Sequence, residues 1–196
     1  MTFDAHARAC SRSCFYHLRR IRQIRRFIDD RSLRLLVHAF VTSRLDYCNG
    51  LLDNYSVSVR QRFQRIQNRA ARLVCSEPAL SHATPLLRRL HWLPVARRIT
   101  YKLCVLMFDV FHGTAPTWPI LQSLQWQPSS ITSRRGNFVV RPTRTRFADS
   151  SFTAAGPAAW NSLPVNIRNI NCFRHTQRSA DNLKLTCSLF QTKLQY

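Results

Sequence analysis

The chain is poor in acidic residues. It has nine acids, eight Asp and one Glu, against thirty Lys and Arg in 196 residues, for a formal net charge of +21. Catalysis by paired carboxylates, or by two metal ions that carboxylates hold, needs acids close together, and this composition offers few. We therefore expect a binding protein and not an enzyme. A folded body with this charge attracts polyanions, and nucleic acid is the first to consider.

Glycine is also scarce, and long apolar runs are missing. Four Gly with nine Pro favour helices separated by prolines over a β fold built on tight turns. The longest apolar run, residues 103–108, has six residues, whereas a bilayer span needs about 20. Asp4, His6 and Arg8 stand where a signal peptide would be apolar. We expect a soluble intracellular protein of the nucleus or cytoplasm, with no membrane partner.

Seven widely spaced cysteines argue against a disulfide framework and favour a reducing compartment. His6, Cys10, Cys14 and His17 are residues of the zinc-binding type at helical intervals. A helix of this length spans about 16 Å, which is too long for all four to reach one tetrahedral ion. No phosphate-binding glycine loop, dinucleotide motif or serine-nucleophile motif occurs in the sequence. We therefore predict no metal, no cofactor and no small-molecule substrate.

Apolar residues at helical spacing predict a mainly α protein with a bundle over about residues 15–124. The predicted helices cover about residues 15–28, 31–46, 57–75, 84–90 and 94–112. Asp29 and Asp30 are predicted to cap the second helix, and Thr84 with Pro85 to begin the fourth. The fifth helix opens at Pro94 and is apolar nearly all round, which predicts a place at the centre of the bundle.

The composition changes after about residue 125, so we predict two parts, residues 1–124 and 125–196. The second part is an irregular extension rich in Pro, Ser and Arg. Within it we predict a short β-like run at Phe138–Val140 and a compact block, AGPAAWNSLP, at 155–164. That block is interpreted as a single helical turn that holds Trp160. A final amphipathic helix is predicted at about 179–192.

Two stripes of arginine are the candidate nucleic-acid-binding residues. In the third predicted helix, spacings of three, four and three place Arg62, Arg65, Arg69 and Arg72 along one flank. In the first predicted helix, the corresponding residues are Arg19, Arg22 and Arg26. Exposed charge usually belongs to a solvated helix face. These stripes nevertheless recur on two helices and have almost no acidic neighbours one turn away, so contact with phosphate is the stronger interpretation.

One short segment near the C-terminal part of the chain is similar to a catalytic motif. Residues 147–150, FADS, are similar to the box with two adjacent aspartates in polymerase palms. That box works because neighbouring carboxylates hold two metal ions. Here Ser150 replaces the second aspartate, arginines precede the segment, and no hairpin pattern surrounds it. We therefore predict no metal role for Asp149 and no catalytic residues.

Five blocks of sequence then follow one another in a familiar order. They are SRLDYCNGLL (43–52), RIQNRAARLV (65–74), LHWLPVARRI (90–99), FHGTAP (111–116) and RPTRTRFADSSFTAAGPAAWNSLP (141–164). Together they resemble the C-terminal part of the reading frame of non-LTR, LINE-type retrotransposons of the jockey kind. This is the region downstream of the reverse-transcriptase palm, and the resemblance covers about residues 8–165. Residues 173–182 depart from the family pattern.

The resemblance implies a helical, thumb-like block that grips template and primer through their backbones. The palm's two aspartates and the acidic and histidine residues of the family's endonuclease have no counterpart in this sequence. The leading hypothesis is a non-catalytic fragment of an RNA-directed DNA polymerase that binds RNA or DNA without sequence preference. Two alternatives stay open. One is a helical module that contacts protein, and the other is a decayed remnant with no selected function.

Overall fold

The computed structural model describes residues 3–47, 57–111, 138, 140 and 142–164. Within these ranges the chain is mainly helical and contains no strand, so the predicted mainly α fold is confirmed. The described residues divide into two compact units, with the division between Arg97 and Arg98. The predicted boundary after residue 124 and the predicted helix at 179–192 lie outside the described residues.

The first helix, α1, is longer than its apolar spacing predicts. It covers Phe3–Ile24, and one 3₁₀ turn, Arg25–Phe27, follows it. The sequence prediction began only at residue 15. The earlier turns contain three alanines, which favour a helix without forming an obvious apolar stripe. Ala7 and Cys14 are fully buried on this part of the helix.

The second predicted helix is confirmed, and its middle is a π-helical segment. It consists of α2 (Asp30–Val37), the π segment (His38–Thr42) and α3 (Ser43–Asp46). Asp29 is its cap, as predicted. The Asp29 carboxylate accepts hydrogen bonds from two backbone N–H groups, Arg31 at 3.0 Å and Ser32 at 3.1 Å.

Helix α4 covers Val57–Val74. Of its predicted inner face, Val59, Phe63, Ile66 and Ala70 are buried, whereas Leu73 is half-buried. The helix does not extend to the proline at position 78. It ends in a Schellman motif in which Ser76 has a left-handed φ of 58°, and the Glu77 N–H donates to the Arg72 carbonyl at 2.9 Å.

Helix α5 covers Ala83–Arg89, with His82 at the capping position. Thr84 and Pro85 therefore lie inside the first turn, and the prediction that Thr84 caps this helix is wrong. Proline is tolerated there because the first N–H groups of a helix have no partner within the helix. After the C-cap residue Leu90, His91 adopts a left-handed φ of 54°, which terminates the helix.

A polar contact attaches the start of the next helix to α4. Helix α6 covers Val95–Phe111, so the predicted opening at Pro94 is confirmed. The buried Gln67 side chain donates from Nε2 to the Leu93 carbonyl at 2.8 Å, and the Val95 N–H donates to Gln64 Oε1 at 2.8 Å. The first N–H groups of a helix have no partner within the helix. Gln64 supplies one for the Val95 N–H.

The burial of α6 is one-sided, unlike its composition. Its buried residues include Ile99, Leu103 and Met107, which share one face, but Leu106 is 44% exposed. The first residues of the helix, up to Arg97, belong to the first compact unit and the rest to the second. The all-round burial that we expected from its apolar sequence is therefore not observed.

In the second unit the described residues include α7 (Arg146–Asp149) and α8 (Phe152–Asn161). The predicted single turn around Trp160 is thus part of a helix of ten residues. The Trp160 ring is 2% exposed and meets the Phe138 ring edge to face, with centroids 5.8 Å apart. Phe138 and Val140, the described residues of the predicted β-like run, are not in a strand.

Candidate nucleic-acid interface

The two predicted arginine stripes lie beside one cleft in the first unit. Helix α1 packs against α4, and the groove along this contact has a volume of about 600 Å³. Five of the residues that line it are arginines, three from α1 and the turn after it and two from α4. They are Arg19, Arg22, Arg25, Arg69 and Arg72. We call this groove the arginine cleft.

The two helices run in the same direction where they form the cleft. At one end, the Arg69 guanidinium lies over the Phe15 ring, 5.9 Å from its centroid. At the other end, Arg25 Nη2 donates to the Ser76 hydroxyl at 3.2 Å. The arginines of each helix are three residues apart, so they repeat about once per turn along both walls.

The apolar part of the lining comes from the buried or half-buried side chains of the same helices. Phe15 and Leu18 belong to α1, and Leu73 belongs to α4. Among the described residues, Glu77, in the loop after α4, is the one acidic residue that lines the cleft. The cleft therefore combines an apolar surface with an excess of positive charge, which concentrates the field within it.

The five arginines differ in how firmly they are held. Arg25 forms an ion pair with Asp30, with 2.6 Å between Nη2 and Oδ1, and the Arg72 Nε donates to the Ser81 carbonyl at 2.9 Å. Arg19 and Arg22 are exposed and form no hydrogen bond or ion pair with any residue in the described ranges. Their guanidinium groups are thus available to an anionic ligand.

The structure brings together only part of the predicted site. Arg62 and Arg65 continue the α4 stripe but do not line the cleft. Seven residues of helix rise about 10 Å, which places Arg62 two turns away from Arg69. Arg26 is also outside the cleft, and its guanidinium lies over the Phe27 ring, 4.7 Å from the centroid.

Arg25 is the cleft residue that the sequence prediction missed. Regular helical spacing predicts Arg26, four residues after Arg22. The helix instead tightens into a 3₁₀ turn at Arg25–Phe27. With three residues per turn, the residue three positions on comes into line with Arg22. No signal in the sequence identifies Arg25, because its ion pair with Asp30 joins residues five apart, which is not a helical interval.

The zinc-type residues of α1 have other partners. The His17 ring stacks on Phe40, with 4.9 Å between centroids, and Cys14 is fully buried. A hydrogen bond from the Cys14 thiol lowers the pKa of Cys10 to about 7, with a smaller contribution from Arg44 and an opposing effect of burial. Within the described part of the chain, no three His, Cys, Asp or Glu residues are grouped so that they could hold a metal ion.

Asp149, the aspartate of the FADS segment, serves a local structural purpose. It is half-buried, and its carboxylate accepts a hydrogen bond from the Thr143 hydroxyl. Its backbone N–H donates to the Thr145 carbonyl at 3.0 Å, which closes the single turn of α7. The two hydrogen bonds give Asp149 a structural role in forming this turn.

None of the helices in the described ranges is long and apolar enough to cross a membrane. No protein-family model, curated protein or solved structure matches this chain. The interpretation of the arginine cleft therefore depends on the residues that form it.

Proposed function

We propose that this protein is a non-catalytic, thumb-like fragment of a non-LTR retrotransposon reverse transcriptase. We propose further that its arginine cleft binds the phosphate backbone of RNA or DNA without sequence preference. The observation that carries the proposal is the meeting of five arginines from two separate segments in one groove.

The chemistry of the cleft suits phosphate. Guanidinium groups are planar, permanently charged and able to make paired hydrogen bonds to phosphate oxygens. Arg19 and Arg22 are exposed, and among the described residues Arg69 is held only by its weak contact with Phe15. Contacts to phosphate position a protein on a strand but carry no information about base sequence. Binding through this set is therefore expected to be general.

The salt dependence of binding tests this proposal. Each phosphate contact releases a condensed counterion, so log affinity falls with log salt at about −0.9 per contact on duplex DNA and about −0.7 on single strands. We expect the double variant Arg22→Ala/Arg69→Ala to reduce the magnitude of the slope by about two contacts. The measurement is fluorescence anisotropy of a labelled oligonucleotide over a range of salt, with circular dichroism to verify the fold.

The same helix supplies a matched control. Arg62→Ala/Arg65→Ala removes the same charge from the chain but leaves the cleft intact. We expect this control to retain the wild-type slope, apart from a small general loss of affinity. An equal reduction in both double variants would contradict the assignment to the cleft. Binding that ignores salt would instead favour the alternative of a protein-interaction module.

A further inference from the structure

We propose that the arginine cleft takes a single strand, with one unpaired base stacked on the Phe15 ring and the flanking phosphates on the arginines. This inference rests on the proposed function and specifies the class of nucleic acid. It is based on three features of the cleft, namely its size, the aromatic ring in its lining and the weak contact that covers this ring.

The size of the cleft limits its occupant. A volume of about 600 Å³ lies within the range of clefts that hold a small organic ligand. One or two nucleotides are of that order, whereas a duplex is not. A duplex could touch the arginines at the rim, but its bases are stacked on each other and would not reach the apolar lining. Only an unpaired base can offer its face to an aromatic side chain.

Phe15 is the side chain that can receive such a base. It lines the cleft and is half-buried, so part of its ring faces the groove. Arg19 and Arg22 follow it by one and two turns on the same helix. A strand along α1 would then place a base on Phe15 while its next phosphates meet the two arginines. This combination of aromatic surface and positive groove is how proteins bind single strands generally.

Arg69 allows the base to enter. Its guanidinium is 5.9 Å from the centroid of the Phe15 ring, near the outer limit of about 6 Å for a cation–π contact. It forms no hydrogen bond or ion pair with the residues that the structure describes. The side chain can therefore leave the ring for a phosphate oxygen at little cost, which exposes the ring and adds a charge-assisted bond.

The experiment compares three labelled probes by fluorescence anisotropy, each over the same range of salt concentrations. They are a twelve-residue oligothymidylate, an oligomer of the same length with abasic sites throughout, and a duplex of twelve base pairs. The abasic probe keeps the phosphates but has nothing to stack. We expect the oligothymidylate to bind about 5- to 150-fold more tightly than the abasic probe, which is the range for the loss of one stacked base.

Variants at Phe15 then locate the effect. Phe15→Leu removes the aromatic face but keeps an apolar side chain, whereas Phe15→Tyr retains the stacking surface. We expect Phe15→Leu to lose the preference for oligothymidylate over the abasic probe, with little change in abasic or duplex binding or in the salt slope. Phe15→Tyr should behave as the wild type.

The outcomes separate the two proposals. If no probe binds in a salt-dependent manner, the proposed function is overturned. If the probes bind with a salt dependence but the wild type does not distinguish oligothymidylate from the abasic probe, the stacking inference is overturned and the proposed function stands. A preference that persists in a folded Phe15→Leu variant would also overturn the assignment to Phe15. The comparison of oligothymidylate with the abasic probe uses the wild-type protein alone. A failure of Phe15→Leu to fold would therefore not prevent the test.

Discussion

Helices α4 and α6 are nearly equal in length, 18 and 17 residues, but their sequences differ sharply. Arginines line the outer side of α4, whereas the middle of α6 is apolar nearly all round. Both nevertheless bury a single face. As a result, α6 leaves Leu106 exposed, one turn from the buried Leu103. Composition thus locates a helix, but its neighbours decide which of its apolar residues are buried.

We expect the largest effect on stability from a substitution at Leu103, on the buried face of α6. Leu103→Ala should lower the free energy of unfolding by about 2–5 kcal/mol, because it removes buried methyl groups and leaves a cavity. Leu106→Ala is the matched control, since it changes the same residue type one turn away at an exposed site. We expect it to cost less than about 0.5 kcal/mol. Urea unfolding followed by circular dichroism measures both, and equal losses would show that α6 buries both faces.

Gln67 provides the next test, on the α4 side of the comparison. It is buried, and Nε2 donates to the Leu93 carbonyl. Gln67→Ala should cost about 1–3 kcal/mol, because the carbonyl loses its partner without regaining water. Gln61→Ala, at an exposed position of the same helix, is expected to change stability little. Equal effects in chemical unfolding would mean that the bond to Leu93 contributes nothing measurable.

A smaller effect is expected at His91, in the turn that leads from α5 towards α6. Its left-handed φ of 54° is unfavourable for any residue with a Cβ. His91→Gly should raise the free energy of unfolding by about 0.5–1 kcal/mol, since glycine adopts this conformation without strain. His91→Ala keeps the strain and serves as control. A gain in the alanine variant as large as that in the glycine variant would assign the effect to the imidazole.

The reactivity of the cysteine thiols offers a further test of burial in α4 and α6, one that measures chemical modification and not stability. Burial raises the pKa of Cys104 on α6 to about 12, and burial also raises the pKa of Cys75 at the end of α4. The pKa of Cys10 is lowered to about 7 by the Cys14 thiol. Because the thiolate is the nucleophile, alkylation by iodoacetamide at pH 7.5, about half a unit above the pKa of Cys10, should modify Cys10 before Cys75 and Cys104. Mass spectrometry of the peptides gives the order, and early labelling of Cys104 would contradict its burial.

Much of this architecture could be predicted from the sequence because it depends on local patterns. The spacing of Val59, Phe63 and Ile66 identifies α4, and Asp29 marks the start of α2. The early turns of α1 could not be predicted, because the alanines there favour a helix without an amphipathic signal. The ends of α4 and α5 were predicted to within one residue, but the left-handed residues that follow them were not. Ser76 and His91 adopt a conformation that normally belongs to glycine.

The candidate site was predictable in its chemistry but not in its membership. Spacing placed Arg69 and Arg72 on one flank of α4, but not the α1 arginines beside them. That neighbourhood depends on the packing of α1 against α4, which no local pattern contains. Arg25 lines the cleft and the predicted Arg26 does not, because a 3₁₀ turn changes the spacing after α1. A change of that kind is set by the residues that follow the helix.

The bond between Val95 and Gln64 has a consequence for the exchange of amide hydrogen with solvent. The first amide of a helix normally exchanges quickly, because it has no partner and the helix end frays. Here the Val95 amide donates to a side chain on another helix at 2.8 Å. Its hydrogen can exchange only when the start of α6 separates from α4. The slow exchange of this one amide would therefore report how often that junction opens, at a position where exchange usually reports only fraying.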